Sequence, residues 1–426
     1  MRTIENRTFK NVLIPALIAA LLLILALPAN AEQAREIVVG PGEEVTTITA
    51  ALGLAEDGDR ILVRSGTYRE GEVVVDRSVT IVGEGRPVID GEGEGGVMRV
   101  TADGVEIRGL LIRGSQSSHV RDHAALRVDG ASNCLIEDNV FEDNFFGIYL
   151  ARGEGCRIRG NELRATAARQ SEAANGIHAW NANRIIIEEN LIRGHRDGIY
   201  LEHVTGARVR DNVSEQNLRY GLHFMFSDDT HYERNTFRNN AAGVAVMFTQ
   251  NVVIRDNLFI DNWGTAAYGL LIKDIRDSRI EGNIFRRNTV ALHSDGADRV
   301  AIEGNLFVRN GWAVKIMASS QENVFTGNDF VDNSFDVTTN SRRNYNTFVG
   351  NFWSRYKGYD LTGDGIGDVP HRPVRLFALL VERHPSALIL LRSLFVDILD
   401  VAERVIPVLT PETLVDDEPR MRGMTT

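Results

Sequence analysis

The chain has 426 residues, only two cysteines and 58 acidic against 47 basic side chains, a formal charge of −11. That balance argues against a nucleic-acid binder, which needs a basic face, and is compatible with a cationic ligand. The length would allow two or three domains, but an internal repeat makes most of the chain one unit.

The first segment reads as a secretory leader, residues 1–31. Arg2, Arg7 and Lys10 form a basic region, Val12 to Leu27 an apolar one, and Ala29-Asn30-Ala31 a small-x-small cleavage site. Without a twin arginine, export in the unfolded state is expected, leaving a mature chain with no transmembrane helix. Residues 36–100 open a β-rod. Val45 to Ala55 carries apolar residues at helical spacing and predicts a short helix that caps the open first coil. Short strands are predicted at Ile61–Arg64, Gly66–Tyr68, Val73–Val75 and Val79–Val82.

Residues 104–355 repeat one phrase. Its marks are Asn139, Asn161, Asn190, Asn212, Asn235, Asn257, Asn283, Asn305, Asn328 and Asn351. They lie 22 or 23 residues apart, with two longer steps of 29 and 26, a period that belongs to a solenoid. The extra residues fall at one offset, between Ala165 and Asn175 and between Gly264 and Tyr268, as edge loops would. Three positions before the Asn, two after it, and the first and third after the coil's Gly are apolar in short period-2 runs. Asn also tolerates the left-handed corner of a tight turn. A leucine-rich repeat shares the period but needs a Leu-rich strand and a helical segment in each repeat. The Ile/Val/Phe-rich lines predict an all-β, right-handed parallel β-helix, a pectin-lyase-like solenoid over residues 32–355.

Cys134 and Cys156 stand at the same inward offset of neighbouring coils. In an exported protein they are a disulfide candidate or a buried thiol pair rather than a metal site. Residues 356–426 leave the repeat. Asp360, Asp364 and Asp368, in Asp360-Leu-Thr-Gly-Asp-Gly-Ile-Gly-Asp368, resemble the first half of a calcium loop, with Thr at its third position and no closing Glu. Residues 375–406 are apolar and helical in pattern, too short and charged to span a bilayer. They either seal the last coil or dock on a partner, and residues 411–426 read as a loose tail.

Candidate chemistry lies on the outward positions after the coil's Gly. Met225 and Met247 occupy one such position on adjacent coils, with His223 two residues before Met225 on the same face. Thioethers and imidazole at one coil spacing suit Cu(I). The flanking Phe226 and Phe248 equally allow the face to be covered or to dock a partner. His203 is near but at a corner offset, and Met317 is three coils away, about 14 Å. Asp228-Asp229 with His231 could be read as a carbohydrate-cleaving pair, which keeps a carbohydrate-binding or -cleaving rod as the alternative. Their offset is a polar turn in the other coils, so no enzyme is expected.

The coil phrase in Gly221-Leu-His-Phe-Met-Phe-Ser227, Gly243-Val-Ala-Val-Met-Phe248 and Tyr268-Gly-Leu-Leu-Ile-Lys-Asp274 resembles the NosD family. So do Asn351-Phe-Trp-Ser-Arg-Tyr-Lys-Gly-Tyr-Asp360, Gly365-Ile-Gly-Asp-Val-Pro-His-Arg-Pro373 and Val405-Ile-Pro-Val-Leu-Thr-Pro-Glu-Thr-Leu414. The resemblance implies a periplasmic, non-enzymatic accessory protein of denitrification. Such a protein works with an ABC-type ATPase and permease and a copper-chaperone lipoprotein to mature the copper–sulfide site of nitrous oxide reductase. It carries no ligand set. His223, Met225 and Met247 are the reading of the alternation alone, and the family's further Asp where Thr362 stands weakens calcium here.

Overall fold

The computed structural model describes residues 34–118, 120–264, 267–341, 343–391, 393–405 and 414–424. The expected leader lies outside these residues, as do residues 265–266 of the smaller insertion and residues 406–413. The chain winds through three parallel sheets. One has 14 strands, from Glu36–Val39 to Thr347–Val349; one has 13, from Thr67–Tyr68 to Phe352–Trp353; the third has 12, from Val73–Val75 to Phe335–Thr339. At the parallel-strand spacing, 14 coils make a rod on the order of 65 Å long. The expected capping helix, α1, spans Ile48–Leu54, is N-capped by Thr47 and buries Ile48, Ala51 and Leu52.

Register is locked from inside. Each spine Asn accepts, on its side-chain oxygen, the backbone N–H of the Asn one coil earlier, at 2.9–3.0 Å from Asn139 through Asn351. Its side-chain amide donates to a neighbouring coil's carbonyl, as Asn161 does to Ile136. A second ladder runs five residues later, through Asn217, Asn240, Asn262, Asn288, Asn310 and Asn333. Between the ladders lies a column of rings, Phe237, Phe259, Phe285, Phe307, Phe330 and Trp353, with centroids 4.1–5.5 Å apart. The Ile/Val positions three before each Asn form the wall of the 14-stranded sheet, Ile136 against Ile158 and Ile158 against Ile187.

The C-terminus corrects one expectation. The described part of the tail is not loose: it closes the rod. Leu414 is fully buried. The Asp416 carboxylate accepts from the Asn351 backbone and side-chain amides at 3.0 and 3.1 Å and from the Trp353 indole at 2.9 Å. Asp416 thus takes the place of the next Asn in the ladder, and Arg420 pairs with buried Asp329. The sequence pattern missed this because the closing residue is an Asp, 65 positions beyond the last Asn. Helices α2 (Leu376–Arg383) and α3 (Leu394–Val405) do something else. Phe377, Ala378 and Val381, with Val396 of α3, pack on Phe335 and Trp312 at the end of the 12-stranded sheet.

Asp416→Ala leaves buried donors unpaired, so it should cost about 3 kcal/mol in urea unfolding; an unchanged midpoint would show that the tail is not the seal. A second expectation comes from His195, which occupies the coil offset of the second ladder. Its backbone N–H donates to Asn217, but neither ring nitrogen has a partner, and burial pushes its pKa down to about 4. The folded pKa lies below the unfolded value, so stability is lost as pH falls through the 6.5–4 window. His195→Asn should lose about 2 kcal/mol less than the parent between pH 7 and pH 5, measured by denaturant melts at both pH values; parallel curves would refute this.

Candidate functional site

The ladder register brings Met225 and Met247 together as partners on adjacent strands, Tyr220–Met225 and Ala242–Gln250, of the 12-stranded sheet. On the far side Met247 faces Lys273, so the sulfur file is two residues deep and Met317 stands apart. Both methionines are half-buried on the outer face. His223 shares that face and pairs with Tyr200 on one side and Ala245 on the other.

Alternation alone makes His223 a surface residue, yet it is only 7% exposed. The Tyr200 and Tyr220 rings wall it in, each 4.8 Å away by centroid. Neither ring nitrogen makes a hydrogen bond. The nearest charge is Asp197, whose carboxylate is 3.9 Å from Nδ1, longer than a hydrogen bond. Burial opposes ionisation of Asp197, but the Arg219 guanidinium, with His223 adding to it, outweighs this and holds the carboxyl below its ordinary range. The Tyr200 hydroxyl is pushed up to about 12 by burial and donates to the Met225 sulfur at 3.8 Å. This stretch of the sheet face therefore carries two thioethers and an imidazole without a hydrogen bond, with a carboxylate on its Nδ1 side. Metal-bound imidazoles commonly turn their other nitrogen toward such a group. Among the described residues, no three His, Cys, Asp or Glu side chains gather into a metal-holding group; the donors here are thioether and imidazole, of which the sulfurs are soft.

The other candidates are placed differently. His203 is exposed at its corner and stacks on Phe226, 5.0 Å away and 9° from parallel, rather than entering the pocket. Asp360, Asp364 and Asp368 do not converge. Asp360 accepts from the Gly363 and Gly365 amides, Asp364 from Ile366 and Asp368 from Leu361. These contacts all lie within the loop. Cys134 and Cys156 are buried free thiols, with the Cys134 amide 3.4 Å from the Cys156 sulfur. Asp228 and Asp229 are occupied by the next coil, through Thr249, Gln250 and Asn251. Sequence reasoning missed Asp197, Arg219 and Tyr220. Their signal was a buried charge pair on successive coils just before the glycines.

This architecture is a right-handed parallel β-helix. A right-handed β-helix family model matches residues 89–192. Among solved structures, the chain is similar to the mannuronan C-5 epimerase AlgE6 A-module of Azotobacter vinelandii, with TM-score 0.61 and 15% identity over 74% of this chain and 98% of that one. It is also similar to the GH87 α-1,3-glucanase catalytic unit of Streptomyces thermodiastaticus, with TM-score 0.63 and 14% identity over 78% and 70%. At such identities these likenesses concern the fold alone. Sequence comparison goes further. Residues 164–358, which include His223, Met225 and Met247, match the family model described as "Periplasmic copper-binding protein (NosD)". Two proteins named "Probable ABC transporter binding protein NosD" align over nearly the whole chain. That of Pseudomonas aeruginosa is 28% identical over 421 residues, 87% of this chain and 90% of its own. That of Stutzerimonas stutzeri is 26% identical over 437 residues, 90% and 92%. Over nearly its whole length the chain is therefore similar to proteins of the NosD family.

Proposed function

We propose that this protein is a periplasmic Cu(I) carrier that serves assembly of the copper–sulfide site of nitrous oxide reductase. It holds its cargo between His223, Met225 and Met247 and works with an ABC-type ATPase and permease and a copper-chaperone lipoprotein. It binds and hands on; it catalyses no reaction itself. One observation carries this reading. A buried imidazole without a hydrogen-bond partner is costly, by about 1–3 kcal/mol, and this one lies on the same sheet face two residues before Met225, which is in register with Met247. A Cu(I) ion would satisfy the imidazole and both sulfurs together, in a geometry of two or three soft donors. The half-buried methionines form the accessible side, where a ligand from a donor or acceptor protein can replace one of them.

Titration of Cu(I) in competition with a chromophoric chelator tests the site. Met225→Leu with Met247→Leu should weaken binding about a hundredfold, taking about 1.4 kcal/mol for each tenfold loss and one lost donor at each position. Equal affinity in the variant would remove the site.

The permease contact is assigned to α3. Its Leu394, Phe395, Ile398 and Val401 are 45–73% exposed although α2 and the sheet bury its other face. Residues 414–424 seal the rod, so truncation cannot separate docking from folding. Leu394→Lys with Ile398→Asp should abolish co-purification with the permease at an unchanged melting temperature; retained co-purification would place the contact elsewhere.

A further inference from the structure

We infer that the stacked rings of His203, Phe226 and Phe248 form a docking ledge for the Cu(I)-exchanging partner, and that this partner presents a guanidinium-bearing loop to it. The inference rests on the Cu(I) reading for its purpose but not for its geometry. The three rings follow Glu202, Met225 and Met247 at one corner of successive coils, with Phe226 on Phe248 at 5.2 Å and 15°.

The backbone at this corner is left-handed: φ is 54° at His203, 52° at Phe226 and 55° at Phe248. A bulky residue is disfavoured there. Every other non-glycine residue with such a φ among the described residues is Arg, Asn, Asp, Glu or Gln. At the same corner the coils before the ledge carry Arg152 and Asn181, and those after it Asp274 and Gly296. Phe226 and Phe248 therefore occupy positions that the rest of the rod gives to polar residues or glycine. Burial does not explain them, since they are 45% and 39% exposed.

The ledge borders a hollow of about 460 Å³ lined by Phe226, Phe248, Asp228, Asp274, Arg276 and Asp298. Arg276 is engaged with Gln250, and none of the three carboxylates is in an ion pair among the described residues. The outer face of Phe248, at the end of the stack and beside carboxylates that have no ion-pair partner, attracts a planar cation, which stacks on the ring while its N–H groups reach the acids. This charge complementarity selects a partner with an exposed arginine rather than an acidic surface or a neutral sugar. Docked at this corner, such a partner has its metal-bearing loop one residue from Met225 and Met247.

The test is metal-free calorimetry of this protein with the soluble domain of the copper-chaperone lipoprotein, at low and at high salt. Asn fits the left-handed corner, so Phe226→Asn with Phe248→Asn removes the rings while favouring the fold. That variant should weaken binding about tenfold or more. Asp228→Asn with Asp274→Asn and Asp298→Asn should flatten the salt dependence. Unchanged affinity in the Phe variant, no binding by the parent, or salt-independent binding overturns the inference. So does dimerisation of the parent through the ledge, read by sedimentation. Chelator competition on the same variants separates the two readings. If the parent binds no Cu(I) but the ledge variants lose the partner, the carrier reading falls and the ledge stands.

Discussion

Everything in this molecule depends on the asparagine ladder. A parallel β-helix has no local device that fixes how one coil sits on the next: strands of the same period could slip by a residue and turn every side chain to the other face. Two buried files of Asn prevent this. Each amide accepts a backbone N–H from one coil and donates to another coil's carbonyl. A slipped coil would leave both groups unpaired in an apolar interior, at the full cost of desolvation. The ladder does for register what a disulfide framework does in small secreted domains. That is why positions 22 or 23 apart in sequence can be treated as neighbours in space.

That constraint also explains what the sequence made legible. The spine asparagines, the Ile/Val and Phe positions flanking them and the Gly-led strands all repeat with the coil, so the fold, the inward positions and the Met225–Met247 pairing followed from counting. Features that occur once did not. Asp416 closes the ladder from a distance that no period links to Asn351. His223 was placed on the correct face but expected in solvent. Its burial comes from the rings of Tyr200 and Tyr220, packed on it from the preceding coil and from the start of its own strand. Asp360, Asp364 and Asp368 are a related case. A ligand-like spacing of carboxylates does not say whether their oxygens face an ion or the loop's own amides.

The outer face of the 12-stranded sheet works against the ordinary division of a β-rod into a dry interior and a wet surface. Tyr149, His178, Tyr200 and His223 follow one another along it with centroids 4.5–4.8 Å apart. Burial holds His178 neutral, its pKa pushed down to about 3. Part of the covering comes from the larger insertion, whose Ala174 packs in one cluster with Phe145, Phe146 and Tyr149. Both insertions lie at the corner that leads into this sheet, where they change what lies over its face without disturbing the register beneath.

A rod of this kind suits a carrier of soft metal for a physical reason. Affinity for Cu(I) comes easily to cysteine sulfur, and two cysteines are present, but Cys134 and Cys156 point into the core, fully or almost fully buried. The accessible sulfur is thioether, which is neutral, holds no proton for the metal to displace and selects Cu(I) over harder ions. A neutral donor set also holds its cargo less tightly than a thiolate pair, as handover requires. Rigidity supplies the rest: the two methionines are held at strand spacing by ladders buried beneath them, so on the proposed carrier reading the donors would stay together with or without an ion. On that reading the unpartnered His223 is the cost of a site that must also stand empty, borne by a fold whose stability is distributed over many coils.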